Sequence, residues 1–329
     1  MPDRRDFLYT LSAAALAAQL EQLQALSPSP ADGHMPTRLL GKTGVRVSAL
    51  GLGGYHYGMI ADTSTAERLL HTAVDHGLTF MDNCWDYHDG ASERRMGEAL
   101  KSGGYREKVF LMTKIDGQVK AAAARQIDES LTRLRTDHLD LLQFHEIIRP
   151  ADPERILGPG GGMEAALAAH KAGKVRFIGF TGHKDPSIHL KMIRTGFPFA
   201  SAQMPINVMD AHYRSFQHEV VPVALERGIG VLGMEPMAAG AILQSKVVTA
   251  PECLRFALSL PTSVVITGCE SMRDLDQALA VGRHFVPYSA EEMLALLDRT
   301  RPAGVSGEFE RFKNTSDFDG TMQNPQWLG

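Results

Sequence analysis

Four ionisable residues stand at or just beyond the ends of apolar runs. The run LTFM at 78–81 gives way to Asp82, and Tyr87 follows five residues later in NCWDYHDG. VFLMTK closes on Lys114, and LDLLQFH closes on His145. A carboxylate, a phenol, an ammonium and an imidazole are groups that exchange protons and steady charge in reactive sites. Singly, each has an ordinary explanation: a strand-end cap, a packed aromatic, a solvated lysine, a core histidine. Those explanations leave out the recurrence at one end of three successive runs. In a parallel β/α barrel such ends share one mouth.

The elements that must position these groups follow from the rest of the chain. Besides the three runs above, strand-like segments occupy 47–53, 175–180, 200–203, 229–234 and 264–266, eight in all. Amphipathic patterns at helical spacing fall between them at 65–76, 121–134, 164–172, 186–194, 218–226 and 251–260. Leu69, Leu70, Ala73 and Val74 illustrate one such apolar face. Alternating βα units call for parallel strands, and eight of them predict a closed (β/α)8 TIM barrel of α/β class. A doubly wound sheet is the competing fold, but Gly51-Leu52-Gly53-Gly54 does not supply a GxGxxG fingerprint.

The order Asp82, Tyr87, Lys114, His145, with SERRMGEAL after the tyrosine loop and RLLGKTG at 38–44, resembles the aldo-keto reductase superfamily. The similarity runs over roughly 38–279 and implies an N-terminal β-hairpin ahead of the barrel. By that resemblance the four residues form a catalytic tetrad, and the chain is an NAD(P)-dependent oxidoreductase acting on a carbonyl or alcohol. Adding hydride to a carbonyl creates an alkoxide, which needs a proton and charge stabilisation. Tyr87 is then the general acid/base. Lys114 lowers its pKa, Asp82 holds Lys114 charged, and His145 donates to the carbonyl oxygen.

The cofactor implied is NADP(H) by family habit, with NAD(H) left open. Gly53, Thr181, Gly182, His183, Gln203, Met234, Gly268 and Arg273 are the cofactor-binding candidates. Gln203 matches the family's carboxamide-binding glutamine. Thr181-Gly182-His183 departs from the family's Ser-Asn pair, and Met234 occupies a slot where an aromatic often stacks on nicotinamide. A thioether also packs on a ring face. Around Gly268 the usual basic residues are missing, leaving Arg273 as the candidate for a 2′-phosphate.

Residues 1–31 read as a leader and linker: Arg4-Arg5, an alanine-rich apolar segment and a proline-containing spacer. The pair resembles a twin-arginine export signal, which implies the export machinery as a partner and a periplasmic or exported location. A cytoplasmic location is the alternative if the leader is not functional. The segment is too short and interrupted for a stable membrane anchor. The barrel is expected over 35–287, and a C-terminal helix and tail, rich in aromatics, over 288–329, docked on the barrel and reaching towards its mouth.

A net charge of -4 with no basic run argues against nucleic acid as a partner. Three unpaired cysteines argue against a disulfide scaffold. His56, His88, His145 and His183 lack the spacing of a metal motif, so no metal is expected from sequence. Tyr55, Trp85 and His88 are the substrate-binding candidates, beside polar groups that suit a carbonyl compound or a sugar. A regulatory nucleotide-binding barrel without turnover is the second reading, and the complete tetrad argues against it.

Overall fold

The short apolar runs are buried at nearly every position rather than at alternate ones, as expected of strands covered on both faces. The computed structural model describes residues 33–329, so the leader expected at 1–31 lies outside the described residues. The chain opens with an antiparallel hairpin, β1 (Thr37–Leu39) and β2 (Arg46–Ser48). The strands β3 (Leu50–Gly53), β4 (Phe80–Asp82), β5 (Phe110–Ile115) and β6 (Leu139–Phe144) follow. The second half supplies β7 (Val175–Thr181), β8 (Ser201–Pro205), β9 (Gly230–Met234) and β10 (Val264–Gly268). Strands β3 to β10 pair in parallel in chain order, and β10 closes on β3, giving the (β/α)8 barrel.

The expectation of a single strand over 47–53 is corrected. The chain changes partners at Ala49, so that Val47 pairs with Arg38 in the hairpin and Gly51 with Phe80 in the barrel. Ser48 makes the break possible. Its hydroxyl donates to Leu50 O at 2.7 Å and accepts from the amides of Thr79 and Phe80, each at 3.0 Å, replacing ladder bonds lost at the switch. The helix expected at 218–226 is also divided, into Phe216–Glu219 and Val221–Glu226. Pro222, near the start of the second piece, has no N–H with which to continue the first.

The hairpin closes the amino end of the barrel. Leu40 and Val47 join Phe80, Phe110, Met112, Leu141, Leu232, Val264 and Ile266 in an apolar cluster within it. Each such side chain contributes about 1.5–3 kcal/mol through burial. Arg38 is buried beneath and donates to Thr262 O at 2.9 Å and Leu258 O at 2.6 Å. Desolvation lowers its pKa to about 9. The other end of the barrel is therefore the one left for a ligand.

After helix Ala290–Gly304, the tail folds back over that end. It is held by a buried ionic group: Lys313 Nζ is 2.7 Å from Asp210 Oδ1 and 2.9 Å from Glu310 Oε2. Among the described residues, no helix is long and apolar enough to cross a membrane.

Candidate active site

Register places the ionisable residues at one level. Asp82 ends β4 beside Gly53, and Lys114 lies near the end of β5 beside Gln143. Backbone pairing continues past the strand ends: Asn83 N donates to Met112 O, Trp85 N to Lys114 O and His145 N to Ile115 O. Tyr87 follows in a turn where its own amide reaches Cys84 O, and His88 and Asp89 take left-handed φ angles of 52° and 53°. This turn brings the phenol back over the strand ends.

The four predicted catalytic residues converge. Lys114 Nζ lies 2.6 Å from Asp82 Oδ1, an ion contact with side-chain exposures of 1% and 4%. The same ammonium donates to Asn83 O at 2.8 Å and to the Tyr87 hydroxyl oxygen at 3.2 Å. The Tyr87 and His145 rings meet edge to face, with centroids 5.8 Å apart. Because the phenol oxygen accepts from Lys114, its own proton is free to serve another acceptor.

One electrostatic expectation is corrected. Burial, followed by the charge of Asp82, holds the Tyr87 hydroxyl well above the ordinary phenol range, so proximity to Lys114 does not produce a lowered pKa in the site as it stands. The phenol is therefore kept as a proton donor, and the ammonium contact favours the phenolate left after donation.

Sequence reasoning missed the groups behind His145. Its Nδ1 lies 2.9 Å from Asp116 Oδ1, 3.2 Å from Cys84 Sγ and 3.5 Å from Asp86 Oδ1. Burial, then Asp116, raises the Asp86 carboxyl to about 7, and burial also lifts Asp116 and the Cys84 thiol. A signal was present: Cys84 and Asp116 each follow a predicted catalytic residue by two positions, the spacing that keeps side chains on one face of a strand.

A cavity of about 660 Å³ opens above the tetrad. Gly53, Thr181, His183, Gln203, Met234 and Gly268 line it, as do Tyr55 and His88. The Gln203 amide donates to Met234 Sδ at 3.5 Å, whereas its buried Oε1 has no partner among the described residues. An added Cβ at Gly268 would lie 2.2 Å from His56 Cδ2, so the close approach of that ring requires glycine. His56 in turn contacts Glu270 at 2.6 Å.

Three candidates lie off the cavity. Trp85 instead meets Trp327 edge to face at 5.7 Å and donates to Glu129 at 2.6 Å, as part of the tail's docking surface. Gly182 is packed against Ile147 O, where a Cβ would be only 2.5 Å away. Arg273 is exposed at the start of helix Met272–Arg283, while its neighbours Glu270 and Asp274 line the cavity.

The tail supplies part of the wall through Phe312, Asp317, Phe318, Gly320 and Gln323. Glu146, next to His145, accepts from Gly320 N at 2.8 Å and Thr321 N at 2.7 Å. Asp319 contacts His183 at 3.1 Å and Lys184 at 2.8 Å. His183 is thus held by the tail, while Thr181 and Gln203 line the cavity without such a contact to it.

Comparison with known proteins places this geometry in a family. The model of the aldo/keto reductase family matches residues 49–252. The uncharacterized oxidoreductase YrpG of Bacillus subtilis is 31% identical over 226 residues, which cover 62% of this chain and 67% of that protein. The holo form of aldo-keto reductase AKR11C1 from Bacillus halodurans superposes with TM-score 0.68 at 22% identity, covering 81% of this chain and 96% of the other. An aldo/keto reductase from Klebsiella pneumoniae, solved in complex with NADP and acetate, gives TM-score 0.65 at 26% identity over 80% and 95%. The match spans the strands that carry Asp82, Lys114, His145 and Gln203, and on that basis the chain belongs to the aldo/keto reductase family.

Proposed function

We propose that the protein reduces a small carbonyl compound, or oxidises the matching alcohol, with Tyr87 as the proton-transferring group. The observation that carries this reading is the contact of Lys114 Nζ with the Tyr87 oxygen, backed by the buried Asp82. A nicotinamide dinucleotide, when bound, supplies or accepts the hydride. The cavity floor suits its nicotinamide end. Gln203 Oε1 is a buried acceptor in need of a donor, such as a carboxamide NH2, and Met234 offers a polarizable surface to the ring.

Within this reading, Tyr87 gives its proton to the oxygen on which negative charge develops, and Lys114 stabilises the phenolate that remains. Asp82 pairs with Lys114 and fixes its position. His145 lines the cavity with Nδ1 held by Asp116, which aims the ring's other nitrogen at the same oxygen. We favour NADP(H), as in the Klebsiella relative's complex, with Arg273 reaching a 2′-phosphate outside the cavity. Rings from Tyr55, His88 and Phe318 alongside the Asp86 and Glu146 carboxylates suit a hydroxylated carbonyl compound or a sugar.

The test is calorimetric binding of NADPH, NADH, NADP+ and NAD+ to the purified protein, followed by absorbance assays with a carbonyl and sugar panel. Micromolar affinity for a reduced nucleotide and carbonyl-dependent loss of its absorbance are expected. Absence of binding to all four removes the reading. The leader is proposed to direct export of the folded protein with nucleotide already bound. Replacing Arg4 and Arg5 by lysine should then leave the chain uncleaved in the cytoplasm, and continued export of that variant would remove this part.

A further inference from the structure

The groups gathered around His145 Nδ1 are of metal-ligating types, and they arrive from three strand ends. Cys84 Sγ, an oxygen each of Asp86 and Asp116, and a nitrogen of His145 all lie within 4.8 Å of one another. A tetrahedral site with bonds of about 2.0–2.3 Å has edges of roughly 3.3–3.8 Å. The distances of 3.2 Å from His145 Nδ1 to Cys84 Sγ and 3.5 Å to Asp86 Oδ1 are close to such edges. The contact with Asp116 Oδ1, at 2.9 Å, is a few tenths shorter.

Burial gives the second observation. The Asp116 side chain is fully buried, and its Oδ2 has no hydrogen-bond partner among the described residues. Asp86 Oδ1, facing the imidazole, has none among them either. Two buried carboxyl oxygens without a hydrogen-bond partner, beside a thiol, cost free energy unless a proton or a cation satisfies them. The direct contacts of Lys114 Nζ are made elsewhere, with Asp82, Asn83 and Tyr87.

We propose that Cys84, Asp86, Asp116 and His145 bind a divalent transition-metal ion of the zinc class. The mixed thiolate, imidazole and carboxylate set matches that borderline-soft cation better than magnesium or calcium. Binding releases the thiol proton and brings the four donor atoms around one centre. It also fixes the imidazole tautomer. A His145 that ligates through Nδ1 keeps its proton on Nε2 and can donate into the cavity it lines. The ligands come from the loops after three different strands, Cys84 and Asp86 sharing one, which is why no metal spacing is visible in the sequence. The binding claim stands independently of turnover, and its test reads the metal itself.

The experiment uses the full chain, stripped with a chelator and titrated with Co2+ and then Zn2+. One equivalent of Co2+ is expected to produce a thiolate-to-cobalt charge-transfer band in the near ultraviolet, which Zn2+ bleaches. Cys84→Ser should abolish the band, and Asp116→Asn should weaken Co2+ affinity at least tenfold, with circular dichroism reporting that each variant is folded. A chain that takes up no stoichiometric Co2+, or takes it up without a thiolate band, overturns the proposal. So does a band retained in Cys84→Ser, which would place the metal on Cys253 or Cys269. Because the wild-type titration needs no variant, a misfolded mutant does not rescue the idea.

Discussion

Asp82→Asn isolates the buried ion pair from the chemistry it supports. With Nζ 2.6 Å from Oδ1 and side-chain exposures of 1% and 4%, the substitution leaves the Lys114 ammonium without a counter-ion in an almost fully buried position. Breaking such a pair costs about 3–5 kcal/mol. In a domain of this size that is a fall of roughly 5–8 °C in melting temperature. The double variant Asp82→Asn/Lys114→Met removes both charges, so most of the loss should return, to within about 1–2 kcal/mol of wild type. Turnover should not return with it, because the Tyr87 oxygen has then lost its ammonium partner. Thermal scans at fixed rate, run beside carbonyl-dependent NADPH consumption, separate the two effects. A single Asp82→Asn variant that melts within about 2 °C of wild type, or a double variant as unstable as the single, would refute the reasoning.

Two further outcomes follow from groups around the site. His189 is fully buried, bonds Gln203 O at 2.9 Å, and has its pKa lowered to about 4 by burial. The unfolded chain therefore binds this proton first. As pH falls from about 6.5 to about 4, His189 should cost the fold roughly 3 kcal/mol, and above that window it should cost nothing. His189→Gln should flatten the wild-type slope of melting temperature across that range, and an unchanged slope counts against the assignment. Glu235, Glu270 and Asp274 put carboxylates on the cavity at the ends of β9 and β10. Glu235→Gln should tighten NADPH binding about fivefold at low salt, and less at high salt. Calorimetry showing weaker binding would mean the carboxylate contacts something other than a phosphate.

The tetrad was legible because strand ends are legible: a buried run that stops at a charged residue marks both a strand and the rim it reaches. The closing of eight such runs into one barrel made Asp82, Lys114 and His145 neighbours without any local motif linking them. What surrounds them was less legible, for different physical reasons. Cys84 and Asp116 stand two positions after predicted residues, just past the ends of β4 and β5, so the signal existed in their spacing. Asp86 and Glu146 lie on loops whose course depends on the tail, and nothing near them in sequence marks that dependence. Trp85 reads as a rim aromatic because its actual partner, Trp327, stands near the C-terminus. Ser48 looks like an interior strand residue until its hydroxyl is seen replacing backbone bonds at the hairpin switch.

The central claim is that the Tyr87 hydroxyl supplies the proton that accompanies hydride transfer. Tyr87→Phe removes one oxygen from a buried ring and leaves Gln203 and Met234 untouched. Single-turnover rates for this variant should fall by about 10²–10⁴-fold with nucleotide affinity within about twofold of wild type. Wild-type rates in Tyr87→Phe, with a substrate that the native protein turns over, would contradict it.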